Sequence, residues 1–443
     1  MAKGLSGIRD GREAAFPPGS RVKPQTRERG VEGGWRDKMG TISQFAEKAR
    51  PPAHRIESEE EALSIAKHLA AELAEGASER DLERVLPYEE LDRLAQSGLL
   101  AISIPSEHDG IDVSNAVLAE VTAILAEADS SIGLIPQEHF YILEALRQHG
   151  SEEQKQFFFG RALAGDRFCC ALSETETSAA DHYETRITED GAGHLINGRK
   201  EHSTGVLFAD WIAVSALDAA GRIALSIVPR GAEGIQIIDD WDSFGQRVTG
   251  TGTAVLQNVY VNADSVIRHH RGFERPTAIE AVGQIIHAGV DLGIARAAFR
   301  ETVHFVRYHA RPSPGSGAEQ VSEDPLAITE LGKIAIHLEA ATALIEHAGR
   351  KVDAAQVDPT EEHAVTASLA VAAAKVVTSE VALEAANTLF ELAGTAATRV
   401  ALNLDRYWRN ARTHTLHDPL RWKYHAVGNY HVNGVKPPRN GAL

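Results

Sequence analysis

Cysteine is almost missing from this chain. Two occur in 443 residues, Cys169 and Cys170, and because neighbouring cysteines rarely close a relaxed disulfide, a disulfide framework is excluded and a reducing, cytoplasmic compartment is expected. No apolar run approaches the length of a bilayer span, and no hydrophobic stretch follows the first basic residues, so neither membrane insertion nor export is expected. Positive charge is scarce: 45 Lys and Arg stand against 62 Asp and Glu, a net charge of −17, which removes the basic footprint that nucleic acid requires. No Gly-x-Gly-x-x-Gly follows a strand, so no nicotinamide site is expected, and no metal site is expected either. Aromatic residues make up only 6%, whereas hydrophobic residues reach 43% with abundant Ala and Leu, a balance that favours a helix-rich globular protein of two or three domains.

The pattern changes along the chain. Residues 1–51 are rich in Gly, Pro and Arg (Pro17, Pro18, Gly19, Arg27, Arg29, Gly33, Gly34) without sustained periodicity, and read as a mobile leader in which Met39 is an alternative start. From Glu59 the spacing is helical, with Leu63, Ala66, Leu69 and Leu73 on one face, and a helical domain is expected over 52–165, interrupted at Ile102-Ser103-Ile104-Pro105. Over 166–272 the period shortens to that of strands, in Trp211 to Val214, Ile223 to Val228, Ile235 to Ile238 and Val255 to Val261. Helices return over 273–443, where Leu331, Ile334, Leu338, Ala341, Ile345, Ala348 and Val352 mark one apolar seam. The loop Arg311-Pro312-Ser313-Pro314-Gly315 precedes that helix. The expected fold is therefore mainly α with a central β-domain.

Four segments carry chemistry. In the stretch from Asp405 to Pro419, His414, His417 and Asp418 stand three and four positions apart, so on a helix they share a face and can converge on one ligand. A helix end whose dipole favours histidines is the simpler alternative. The others are Cys170-Ala171-Leu172-Ser173-Glu174, the run Asn197 to Gly205, and the pair Asp239 to Arg247 and Thr249 to Thr253. Each taken singly is compatible with an ordinary polar turn.

In their order along the chain these segments resemble the acyl-CoA dehydrogenase superfamily, and within it the reduced-flavin monooxygenase branch of dibenzothiophene monooxygenases and sulfur-acquisition oxidoreductases, the latter more closely. The resemblance extends from about Pro52 to Leu443, including Trp422 to Tyr430 and Asn440 to Leu443. It implies an N-terminal α-domain, a middle β-barrel or sandwich and a C-terminal four-helix bundle, with the flavin between the last two. Ala171, Leu172 and Ser173 would line the isoalloxazine, and Trp241 and Thr251 would pack against the flavin. Gly394 and Thr395 would lie near its phosphate, and Arg311 would reach the phosphate of a neighbouring subunit in a homotetramer, a solvated loop arginine being the alternative. The catalytic set would be His417 beside the flavin carbon that meets dioxygen, Thr204 as a hydroxyl partner, His414 and Asp418.

The implied reaction is oxygenation of a small organosulfur compound by O2 and reduced FMN, the FMN being supplied by a separate flavin reductase. Asp418 occupies a position often used by the catalytic base of dehydrogenases, but it is one methylene shorter and is followed by Pro419. Two alternatives remain at this stage: an FAD-dependent dehydrogenase with Asp418 as base, and a catalytically silent flavin-binding oligomer. Four departures from the dibenzothiophene pattern matter. Leu134 replaces a histidine and Glu138 a tyrosine, so a different and smaller substrate is expected. Cys170 replaces an asparagine and Ala396 an arginine, which bears on flavin affinity.

Overall fold

The structure is a computed structural model that describes residues 52–174, 183–312 and 314–439. The leader 1–51 and the ending Asn440 to Leu443 lie outside the described residues. Seven helices come first: α1 (Glu59–Ala74), α2 (Ala77–Glu83), α3 (Tyr88–Gln96), α4 (Asn115–Ala128), α5 (Ser130–Leu134), α6 (Pro136–His149) and α7 (Glu152–Leu163). The Ser58 side chain caps α1 by accepting from the Glu61 amide, and three glutamates in its first turn complement the helix dipole. Its buried seam is Ala62, Ala66, Leu69 and Leu73. Leu63, expected on that seam, is only partly buried, because a true 3.6-residue period places Ala62 four positions before Ala66.

Eight strands follow: β1 (Phe168–Ala171), β2 (Arg186–Asp190), β3 (Gly193–Ser203), β4 (Trp211–Leu217), β5 (Ile223–Pro229), β6 (Ile235–Ile238), β7 (Gly252–Asn262) and β8 (Val266–Ile267). They form one sheet in the order β6-β7-β3-β2-β4-β5-β8, with β1 running parallel to β4. The period of two divides the sheet's residues between two cores. Cys169, Ala171, Ile212, Val214 and Val228 join a core internal to the β-domain, whereas Phe168, Cys170, Trp211, Ala213 and Ile227 face the helices.

The chain ends in helices α8 (Arg271–Glu274), α9 (Ile279–Tyr308), α10 (Pro325–Val357), α11 (Glu361–Ala393), α12 (Asp405–His414) and α13 (Leu420–Asn433). Helix α9 is buried around most of its circumference over its first five turns, packed among α4, α6, α10, α11 and α12. Gly289 and Gly293 make this possible, since a Cβ at either would meet the Ala119 or Ala123 carbonyl oxygen of α4 at 2.6 or 2.4 Å. The expected seam of α10 is present, with Ile334, Ala341, Ile345, Ala348 and Val352 buried. One sequence expectation is corrected here: the segment Glu361–Thr398, essentially α11, is apolar and long enough to cross a bilayer, but 56% of its most apolar window is buried inside the protein. Alanine-rich helix-to-helix packing produces the same composition as a membrane span.

Candidate active site

A cavity of about 740 Å3 opens where α6, the β-domain, α9 and the turn after α12 meet. Its floor is set by β1. Cys170 and Leu172 project into it, whereas Ala171 is fully buried in the β-domain core. Strand alternation thus turns the Ala171 side chain away from the cavity, which leaves its main chain as the part that could meet a flavin. Consecutive residues of α6 hold the strand in place. The Phe168 amide donates to His139 Nδ1 (3.2 Å) and the Cys170 amide to Glu138 Oε2 (2.7 Å). Beyond the strand, buried Lys200 donates to the Leu172 carbonyl (3.1 Å), to Ser215 Oγ (3.0 Å) and to Glu174 Oε1 (2.6 Å), which locks the segment entering the cavity.

A second wall comes from the segment between β6 and β7. The Trp241 indole donates to the Gln246 carbonyl (3.0 Å), and its ring stands edge-on to His202, 5.8 Å between centroids. The Gln246 amide in turn donates to Asn410 Oδ1 of α12 (2.7 Å). Gly245 allows this approach, since a Cβ there would meet the Arg409 carbonyl oxygen at 2.1 Å. Three hydroxyls cluster on this side: Thr249 and Thr251 are 2.7 Å apart, and Thr251 donates to Thr204 Oγ1 at 3.4 Å.

The third wall carries the titratable groups. Helix α12 ends at His414, so His417 and Asp418 lie in the turn after it and not on a helical face, as their spacing had predicted. Pro419 terminates the turn as the N-cap of α13. The His417 ring packs against His287 of α9 with centroids 4.2 Å apart, and its Nδ1 lies 3.3 Å from Asp418 Oδ2. Asp418 also accepts from Gln284 Nε2 (2.7 Å) and faces Lys423 Nζ (3.7 Å). Burial would raise the Asp418 carboxyl, but His417, Lys423 and Gln284 outweigh it and hold the group well below the usual carboxylate range. A carboxylate so stabilised is a weak proton acceptor, which argues against Asp418 as a dehydrogenase base.

Behind His417 runs a buried chain of polar groups. His287 Nδ1 is 3.1 Å from His414 Nε2, and His414 Nδ1 is 2.5 Å from Asp291 Oδ1. Asp291 is also bound by Lys375 and Ser379. Burial would raise the Asp291 carboxyl, but Lys375 and His414 outweigh that and hold it low, while burial pushes both His414 and His287 down. The tautomers follow from this. The Asp291 carboxylate accepts a hydrogen bond from His414 Nδ1–H, neutral His414 accepts through Nε2 from His287 Nδ1–H, and His287 Nε2 is left as an acceptor. His414 therefore has both nitrogens engaged within the protein. That arrangement fits a positioning group better than a group acting directly on a bound molecule.

The lining suits a flat, polar-edged ring. Ser173, Thr204 and Thr251 offer hydroxyls, Trp241 an aromatic edge, and the volume lies within the range of cofactor pockets. It does not supply a phosphate's counter-charge, because neither Lys nor Arg is among the described residues that line the cavity. Arg311, Gly394 and Thr395 are exposed at the ends of the bundle helices and do not line it within the single chain; Ala396 lies beside them. Sequence reading also missed Glu280, Gln284, His287 and Asp291. Their spacing of four, three and four draws a polar stripe down an otherwise apolar helix, and that signal was present in the sequence.

The fold and this crevice define a class. Family models for the acyl-CoA dehydrogenase N-terminal, middle and C-terminal domains match residues 42–166, 169–259 and 285–422, and the chain belongs to that family. Within it, the similarity is to the reduced-flavin monooxygenases. The Pseudomonas putida protein named "Probable FMNH2-dependent monooxygenase SfnC" is 33% identical over 85% of this chain and 96% of its own length. The dibenzothiophene monooxygenase of Mycolicibacterium goodii is 30% identical over 85% of this chain and 94% of its own. Among solved structures, FMN-bound TdsC from Paenibacillus sp. A11-2 superposes with a TM-score of 0.83 at 30% identity, covering 86% of this chain and all of that one. The methanesulfinate monooxygenase MsuC of Pseudomonas fluorescens gives a TM-score of 0.80 at 31% identity over 86% of this chain and 99% of its own.

Proposed function

We propose that this chain is the oxygenase component of a two-component system that uses reduced FMN, delivered by a separate reductase, and O2 to oxygenate a small organosulfur compound. The observation that carries the reading is the His417–Asp418 pair at the crevice, backed by the His287–His414–Asp291 chain. Reduced FMN would supply two electrons and two protons, so that one atom of O2 enters the organosulfur compound, at sulfur where sulfur carries a lone pair and at the adjacent carbon in a sulfone, and the other leaves as water. His417, with Nδ1 turned to Asp418, has Nε2 left to hand a proton to the departing oxygen. Thr204 and Thr251 orient the polar edge of the ring, and the apolar surface of Leu134 and Leu172 keeps water from the reacting atom of the substrate. Purified protein given a flavin reductase, FMN and isotopically labelled dioxygen should place one labelled oxygen in an organosulfur product. Oxygen consumption that yields only hydrogen peroxide across sulfides, sulfoxides, sulfones and sulfinates would overturn the reading.

The phosphate is assigned to a neighbouring subunit's Arg311, with Gly394 and Thr395, in a cytoplasmic homotetramer. Two observations support this: no basic residue lines the cavity among the described residues, and Leu326, Ile328 and Ile336 expose apolar surface along α10. The domain division at 165/166 and 272/273 belongs to the same proposal. Arg311→Ala should weaken FMN binding about ten- to a hundredfold, the range of one charge-assisted contact, while riboflavin, which has no phosphate, binds unchanged. Titration calorimetry with both ligands checks this, and an equal loss for both would remove the assignment.

A further inference from the structure

Glu138 stands in the cavity wall where a charged carboxylate has no counter-ion among the described residues. It lies on α6 one turn before Tyr141, and both line the cavity with Leu134 and Gln137. Its partners are main-chain amides: Cys170 donates to Oε2 at 2.7 Å, and the Thr204 amide adds a second favourable contact. Burial pushes the carboxyl up to about 8, against the pull of those two amides. The titratable groups facing it leave that state undisturbed. On β1, burial raises the Cys169 and Cys170 thiols well above their ordinary value. On α6, burial lowers His139 to about 4, and Tyr141 is raised well above its ordinary value. Farther along the cavity, Glu280 is pushed by burial to about 7 and is bound by Tyr141. Three cations lie near the crevice, and each is committed to another carboxylate: Lys200 to Glu174 behind β1, Lys423 to Asp418 and Lys375 to Asp291 on the opposite wall.

A neutral carboxyl differs from an ionised one in what it offers. With Oε2 met by the Cys170 amide, a proton on Oε1 is left for an acceptor in the cavity. We propose that Glu138 donates this hydrogen bond to an oxygen already present on the substrate's sulfur, so that the site selects short sulfoxides and sulfones over thioethers. A thioether sulfur is a weak acceptor, and a site built around a hydrogen bond rejects the analogue that cannot make it far more strongly than a hydrophobic pocket rejects a missing methylene. The inference rests on the oxygenase reading above and adds the substrate class to it. Glu138 is then a specificity-determining residue, distinct from the His417 side of the cavity.

The test uses the full chain loaded with oxidised FMN and reads binding of two probes, dimethyl sulfone and dimethyl sulfide, by calorimetry from pH 6 to 9.5. Wild-type protein should bind the sulfone at least about tenfold more tightly than the sulfide, with affinity level below about pH 8 and falling about tenfold per pH unit above it as the carboxyl ionises. Glu138→Gln keeps a donor and an acceptor for the Cys170 amide, so it should retain sulfone binding and lose the alkaline fall. That flat profile also separates Glu138 from Glu280, which titrates lower. Glu138→Leu should bind sulfone and sulfide alike. The inference is overturned if wild-type protein does not prefer the sulfone, or if the alkaline limb persists in Glu138→Gln. That second comparison remains available if the leucine variant does not fold. A wild-type protein that oxygenates other organosulfur compounds but fails these tests refutes the role of Glu138 and leaves the oxygenase reading standing. Failure to oxygenate any of them, with sulfone binding intact, does the reverse.

Discussion

Replacing His417 with Phe should lower oxygenation turnover by about a hundredfold to ten-thousandfold, the usual contribution of a positioned acid or base. Phe keeps a flat ring to pack against His287, whose centroid lies 4.2 Å away, so the wall of the crevice is preserved while the proton is lost. FMN affinity should change little, and reductant should be consumed with peroxide released in place of oxygenated product. The coupling ratio of product formed to oxygen consumed is the informative measurement. Unchanged turnover would remove His417 from the chemistry and revive a silent flavin-binding protein or a dehydrogenase.

The second large effect concerns stability. Asp291 is fully buried and binds Lys375, Ser379 and His414. Asp291→Asn leaves a buried ammonium without its counter-charge and should cost about 3–5 kcal/mol, measured by urea denaturation at fixed protein concentration. The pH dependence has a defined sign. The folded-state carboxyl is held below its unfolded value, so its contribution is fully present above the unfolded pKa and is lost as pH falls from there toward the folded one. Wild-type stability should therefore decline on acidification below about pH 4, the ordinary aspartate range, and the variant should lack that part of the decline. A loss at neutral pH under about 1 kcal/mol, the worth of an exposed pair, would show that Lys375 finds another partner.

The effects on His417 and on Asp291 are linked through the imidazole chain. Asp291 sets the His414 tautomer, and His414 sets that of His287, which supports His417. In Asp291→Asn this order is no longer imposed by a charge. The fraction of protein that remains folded should therefore also show a shifted pH profile for turnover, an effect that a purely structural role for Asp291 would not produce.

Much of the architecture was legible in the sequence because local periodicity encodes which face of an element is buried. The shift to a period of two near Phe168 and the return to helical spacing before α9 came through in that way, as did the seam of α10. Side-chain direction within the site was less legible. Ala171 lies between two cavity-lining residues yet points into the β-domain core, and only the pairing of β1 with β4 assigns each residue its face. His414 and His417 looked equivalent by spacing. The end of α12 separates them, so that one imidazole is enclosed between Asp291 and His287 and the other opens to the crevice.

By itself the sequence determined the order of helical and stranded regions and the family resemblance, because these depend on residue type and short-range spacing. Tertiary structure alone decided that Glu138, supplied by α6, meets the Cys170 amide of β1 with no counter-ion among the described residues, and that a histidine and an aspartate on α9 support a histidine more than 120 positions later. Protonation and orientation depend on burial and on partners distant in the chain, and only the folded packing brings those partners together.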